Sequence, residues 1–163
     1  MSFLEICKWL QHLGWATAIR ESTLAFPIIE GSHVLSLSIS IGIVIFLDLR
    51  LLRLTFRETP ISRIMKAIGP WMIGGMFVMV FTGILLFCAQ ATSAYMNIFF
   101  RIKMLLLVAG ALNAGYYQWR YYPYMADWDL SDRVPIGAKV IAVLSIVFWF
   151  GVIVCGRTMA YEI

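Results

Sequence analysis

Apolar residues gather along this chain in four runs, at about 28–47, 71–91, 98–117 and 136–155, and the charges are bunched between them. Each run holds the ~20 residues that a helix needs to cross ~30 Å of hydrocarbon, so each is read as a membrane-spanning helix. The first 25 residues follow another pattern, in which Leu4, Ile6, Leu10, Leu13 and Ile19 are mixed with Glu5, Lys8, His12 and Arg20. Glu5, Lys8 and His12 fall at i, i+3 and i+7 on one wet face, and Trp9 and Trp15 suit the headgroup zone, which predicts an amphipathic interfacial helix over residues 1–25. Pro27 is expected to bend the chain before the first span. Glu5, Gln11 and His12 interrupt the uninterrupted apolar core that a cleaved signal peptide requires, so this segment is expected to stay in the mature protein. The predicted fold is all-α: one membrane domain over residues 1–163, a polytopic four-helix bundle preceded by the interfacial helix.

Composition supports this reading, since 61% of residues are hydrophobic and 13% charged, against roughly 45–50% and ~25% in an ordinary soluble domain. Cys7, Cys88 and Cys155 are scattered without a CxxC spacing, which points to neither a zinc knuckle nor a disulfide framework. The net charge of +4 needs no nucleic-acid partner, and no nucleic-acid motif, phosphate loop or internal repeat accompanies it. Eight of the thirteen basic residues lie on one side of the predicted spans: Arg50, Arg53, Arg57, Arg63 and Lys66 after span 1, and Arg120, Arg133 and Lys139 around the connection from span 3 to span 4. The positive-inside rule then places both long links in the cytoplasm, and both termini and the uncharged 92–97 turn outside. The expected location is a bacterial inner membrane with periplasmic termini.

That orientation sorts the polar residues of the spans into two depths. Glu30, His33, Gln90, Arg101, Lys103 and Arg157 sit near the outer face, and Asp48, Arg50, Trp71, Asn113 and Gln118 near the inner face. Glu30 and His33 share a helical face, which Ser36 and Ser40 extend, and Asp48, about five turns beyond Glu30, returns to the same azimuth. A charge inside the bilayer costs ~2.5–3.5 kcal/mol at the centre on insertion scales, so this stripe is expected to face the bundle interior and find partners: Lys103 or Arg157 for Glu30, and Arg50 or another inner basic residue for Asp48. His33 is the single histidine in a span, and neutral imidazole ligates haem iron, copper and zinc. Against that stands the reading of a buried imidazole that bonds Glu30 or a serine to hold helices together. Met72, Met76 and Met79 recur on one face of span 2, where thioether could ligate haem or Cu(I) or merely fill space. Gly75 and Gly83 read as close-packing positions, Asn97 and Asn113 as structural polar groups, and the aromatic run Trp119, Tyr121, Tyr122, Tyr124 and Trp128, with Asp127, Asp129 and Asp132, as an interfacial belt or docking surface.

The run Phe26-Pro27-Ile28-Ile29-Glu30-Gly31-Ser32-His33 and the later Asp48-Leu49-Arg50-Leu51-Leu52 resemble the first span of an uncharacterised family of small bacterial four-helix membrane proteins. Pro70-Trp71, Thr82-Gly83, Tyr95 with Asn97, Phe100-Arg101-Ile102-Lys103, Asn113, Gly156-Arg157 and Ala160-Tyr161 are similar to recurrent positions of that family, and the likeness runs from about Phe26 nearly to the end. It implies the architecture and carries no assigned activity. Members often have a histidine where this chain has Gln118, a departure that counts against a haem held between two histidines. In helix count and outer-leaflet histidine the chain also resembles the copper resistance protein D family and small b-type cytochromes.

Three functions follow as expectations. The first is a binding or electron-transfer subunit whose outer cluster of Glu30, His33, Lys103 and Arg157 holds a redox ligand, such as haem b, copper or a quinone, and works with another membrane protein or a second copy of itself. The second is a small transporter or proton-coupled channel along the span 1 stripe. The third is a purely structural subunit of a larger complex. No intramembrane serine or cysteine is paired with a base in the manner of a hydrolase, so the chain is not expected to be an enzyme on its own.

Overall fold

The computed structural model describes residues 2–56, 58–129 and 134–162, and every regular element among them is a helix. Arg57, Asp132 and Arg133 lie outside the described residues. The chain begins with a capping box: Ser2 Oγ accepts from Glu5 N at 3.3 Å and the Glu5 carboxylate accepts from Ser2 N at 2.8 Å, which satisfies two otherwise orphaned amides. The helix it starts, α1 (Phe3–Gln11), ends at His12, and the extended Leu13 leads into α2 (Gly14–Glu21). The amphipathic segment is thus two helices where one was expected. Glu5, Lys8, His12, Trp9 and Trp15 are exposed, and Cys7 and Ala16 are buried.

Four helices are long and apolar enough to cross a membrane: α3 (Ala25–Leu51), α4 (Ile61–Ala89), α6 (Ile98–Arg120) and α8 (Ile136–Glu162). Pro27 does not precede α3 but lies in its first turn, where a missing N–H leaves no gap because first-turn amides have no helical partner. Pro70 lies inside α4, which begins well before the expected start at residue 71. Arg63 and Lys66 therefore belong to α4 and Arg50 to α3, and the link between them shrinks to residues 52–60. The short α5 (Ala91–Met96) turns the chain toward α6, whose first amides, Phe99 N and Phe100 N, are capped by Asn97 Oδ1 at 2.8 and 3.3 Å.

The topology is up-down-up-down. The starts of α1 and α3, the end of α8 and α5 lie at one end, the terminal end, and residues 52–56, 58–60, 121–129 and 134–135 at the other, the link end. Helix α3 packs along α4, α6 along α8, and the two hairpins meet along α3 and α8. Close approach in the first hairpin depends on Gly75, where a Cβ would overlap Ser40 Oγ; the Ser40 hydroxyl in turn donates to Met72 O at 3.3 Å. Helices α1 and α2 lie over the terminal end, with Gln11 Oε1 accepting from Thr92 N at 3.0 Å and the Phe3 ring 5.0 Å from that of Tyr95.

The link end holds a core of Leu51, Ile61, Met125, Trp128, Val134, Ala138 and Ala142. Trp128, 7% exposed, belongs to this core and not to an aromatic belt, whereas Trp119, Tyr122 and Tyr124 are exposed. It sits on α7 (Met125–Trp128), reached from α6 through a 3-10 turn at Tyr122–Tyr124. The residue after α7, Asp129, closes the N-terminus of α4: its carboxylate accepts from Ile61 N at 2.5 Å, Ser62 N at 3.1 Å and Ser62 Oγ at 2.9 Å. Arg50, 1% exposed, ties the same corner together by donating from Nε to Thr59 O at 2.9 Å and from Nη2 to Asp129 O at 3.3 Å.

Candidate functional site

A cavity of about 730 Å³ opens between the two hairpins at the terminal end, within the ~300–1,000 Å³ of small-molecule sites. Its walls are mostly apolar, and the stacked rings of Phe87 and Phe100, 5.3 Å apart, bring α4 and α6 together along one side. Glu30, His33, Gln90, Lys103 and Arg157 all line it, so the four residues singled out as one outer cluster do surround one space.

His33 is held by geometry that fixes its tautomer. Its Nδ1 lies 3.0 Å from Thr82 Oγ1. The Thr82 hydroxyl is already directed at the helix backbone, 2.6 Å from Val78 O and 3.2 Å from Met79 O. With its one proton donated there, Thr82 Oγ1 can only accept from the imidazole. Nδ1 therefore carries a hydrogen, and in the neutral ring Nε2 keeps its lone pair for whatever enters the cavity. The neighbouring Gly83 makes room for the ring: a Cβ there would stand 3.1 Å from His33 Cε1. Thus the imidazole bonds Thr82, neither Glu30 nor a serine.

Two cations face the same space. Lys103 reaches across to α8 where Gly156 leaves a gap, its Nζ lying 3.7 Å from the position of a Cβ on that glycine. Arg157 donates from Nη2 to Tyr161 Oη at 3.3 Å and stands 5.6 Å from the centre of that ring. The expected ion pair is absent: among the described residues Glu30 makes no salt bridge to Lys103 or Arg157, and Arg157 is turned to Tyr161 on its own helix. Arg101 belongs to the turn, donating from Nε to Tyr95 O at 3.0 Å.

The inner polar residues divide in two. Asp48, Asn113 and Gln118 line a second cavity of about 310 Å³ at the link end. Arg50, the proposed partner of Asp48, is turned toward Thr59 and Asp129, and no salt bridge joins Arg50 to Asp48 among the described residues. Asn113 Nδ2 donates to Ile141 O at 3.0 Å and so ties α6 to α8. Trp71 faces outward, 71% exposed. Ser36 and Ser40 are buried as the stripe requires, but their hydroxyls donate to the backbone carbonyls of Ser32 and Met72. Asp129, the residue that joins α4 to the second link, was read only as part of an aromatic belt. Nothing near it in sequence marks it as a helix cap, since the amides it accepts from lie 68 and 67 residues away.

Four helices long and apolar enough to cross a membrane, with cavities at both ends of the bundle, define a small multi-pass helical membrane protein. Within that class, the chain belongs to the family of unknown function DUF6644, whose sequence profile matches residues 14–162. No curated protein and no solved structure matches it, and a likeness to copper resistance protein D or to b-type cytochromes is not shown.

Proposed function

We propose that this protein is a binding subunit of a bacterial inner membrane, with periplasmic termini, that holds a redox-active amphiphile in the terminal-end cavity and exchanges electrons with a partner membrane protein. One observation carries the reading: the Thr82 bond leaves His33 Nε2 as an available acceptor or ligand atom on a large, mostly apolar cavity. For a quinone-type ligand, His33 Nε2 would accept a hydrogen bond from a hydroxyl head and Lys103 would donate to a carbonyl. For haem, His33 would be the nitrogen ligand, Met159 on the same wall could add a thioether, and Lys103 and Arg157 would balance the charge of its carboxylates. The bound group would supply the electron chemistry; the chain supplies orientation, charge balance and exclusion of water. Among the described residues no three His, Cys, Asp or Glu groups converge, so a bare copper ion would have to rely on His33 with thioethers.

A transport path along α3 has less support, because Ser36 and Ser40 are occupied by backbone carbonyls and α3 packs on Gly75 between the two cavities. The test is an absorbance scan of detergent-purified protein, oxidised and dithionite-reduced, with metal analysis and quinone assay of the extracted lipids. A Soret band or stoichiometric quinone is expected, lost in His33→Ala. Thr82→Val should weaken retention about tenfold by releasing the ring, the order found for orienting partners of ligand histidines. A colourless preparation containing neither metal nor quinone would sink the proposal.

A further inference from the structure

The smaller cavity at the link end differs from the first in its chemistry. Asp48 stands on its wall, 7% exposed, and among the described residues Asp48 Oδ2 has no hydrogen-bond partner. Ser145 shares this wall with Asp48. Asn113 is anchored through Nδ2, which leaves its Oδ1 as a further acceptor. Among the described residues neither lysine, arginine nor histidine lines this cavity, and Arg50, two residues from Asp48, donates to the Thr59 and Asp129 carbonyls. The remaining lining is apolar or aromatic, with Leu47, Met65, Met72 and Tyr117 among it.

An ionised carboxylate in such a place is costly without a counter-charge. Protonation alone does not resolve it, because an O–H placed on Oδ2 would itself lack an acceptor. What both oxygens and the apolar walls accommodate is a positive head on an apolar body. We infer that the link-end cavity is a binding site for a small lipophilic cation, a protonated amine whose ammonium meets Asp48 Oδ2 and Asn113 Oδ1 while its hydrocarbon part lies against Leu47, Met65, Met72 and Tyr117. The cavity has room for a group of this size, and the aromatic ring of Tyr117 adds the attraction of a π face for a cation.

The probe is 2-phenylethylammonium, compared with the neutral 2-phenylethanol and with sodium ion, on the full-length protein in detergent. Binding is read by the rise in the thermal midpoint, reported by a thiol-reactive fluorophore that labels the three buried cysteines, Cys7, Cys88 and Cys155, on unfolding. The ammonium should raise the midpoint and the alcohol and sodium should not. Asp48→Asn should weaken the apparent affinity at least about tenfold, as expected for loss of a charge-assisted bond. Should Asp48→Asn fail to fold, Gln118→Lys carries the test: this exposed wall position would supply an ammonium of its own and displace the probe. Equal stabilisation by 2-phenylethanol would show an apolar pocket only, equal stabilisation by sodium an alkali-ion site, and no response to the amine an empty space; each of these overturns the inference, as does unchanged amine binding in Gln118→Lys.

Discussion

Asp129 illustrates how much one side chain can hold in place. Its carboxylate takes two backbone amides and a hydroxyl at the start of α4, where Pro60 offers no side-chain cap. Losing a helix N-cap costs ~1 kcal/mol, up to about 2, and here a buried arginine is anchored to the same residue. Asp129→Ala should therefore destabilise the protein by about 2 kcal/mol, whereas Asp127→Ala at an exposed position should stay within about 0.5 kcal/mol; denaturant titration of both in one detergent checks this. At this scale the sequence was legible where partners are close in it. Glu30 and His33, one helical turn apart, do line one cavity. The roles of Thr82 and Asp129 were not legible because they depend on residues 49 and 68 positions away, a distance over which helical periodicity carries no information. The salt bridges expected for Glu30 and Asp48 were drawn from matching depth alone, and depth does not say which way a long side chain turns.

Among the elements, hydrophobic runs located all four long helices, because length and polarity dictate them in a bilayer. Their ends were harder to read. Pro27 is expected to bend the chain before the first span, yet it lies in the first turn of α3, and Pro70, next to the expected start of span 2, lies inside α4. Two adjacent glycines give a direct test of packing on α4. A Cβ on Gly75 would meet Ser40 Oγ and stand 3.3 Å from Ser36 O, while Gly74 has nothing within 4 Å. Gly75→Ala should cost about 1–3 kcal/mol by overpacking, and Gly74→Ala should be neutral or slightly stabilising. Combining Gly75→Ala with Ser40→Ala should cost less than the two single changes added together, since the second removes the atom that the first would strike. Thermal unfolding of the four variants measures that coupling.

For the molecule as a whole, the pairing of α3 with α4 and of α6 with α8 places the start of α3, the end of α8 and α5 at one end and the end of α3 with the start of α4 at the other. The proposed orientation makes the first end periplasmic. The three native cysteines are buried, so a membrane-impermeant maleimide reports on introduced ones. Ser93→Cys, on exposed α5, should label in intact cells, and Glu58→Cys, in the first link, only after lysis; the reverse pattern would invert the proposed topology. The two-helix N-terminal segment was legible as amphipathic but not as a cover for α5, because its contacts with Tyr95 and Thr92 join regions that no local pattern connects.

The closure of α4 by Asp129 also bears on the order in which the protein is made. When the α3–α4 hairpin leaves the ribosome, the residue that completes the start of α4 has not yet been synthesised; it arrives 68 positions later than Ile61, after the third span has entered the bilayer. Until then the amides of Ile61 and Ser62 lack the carboxylate that accepts from them, and Arg50 Nη2 lacks the Asp129 carbonyl. A nascent chain halted before residue 129 should consequently remain open at that corner, vulnerable to proteases of the membrane. Insertion and maturation are in this way separate events, and the second waits for a loop that carries no span of its own.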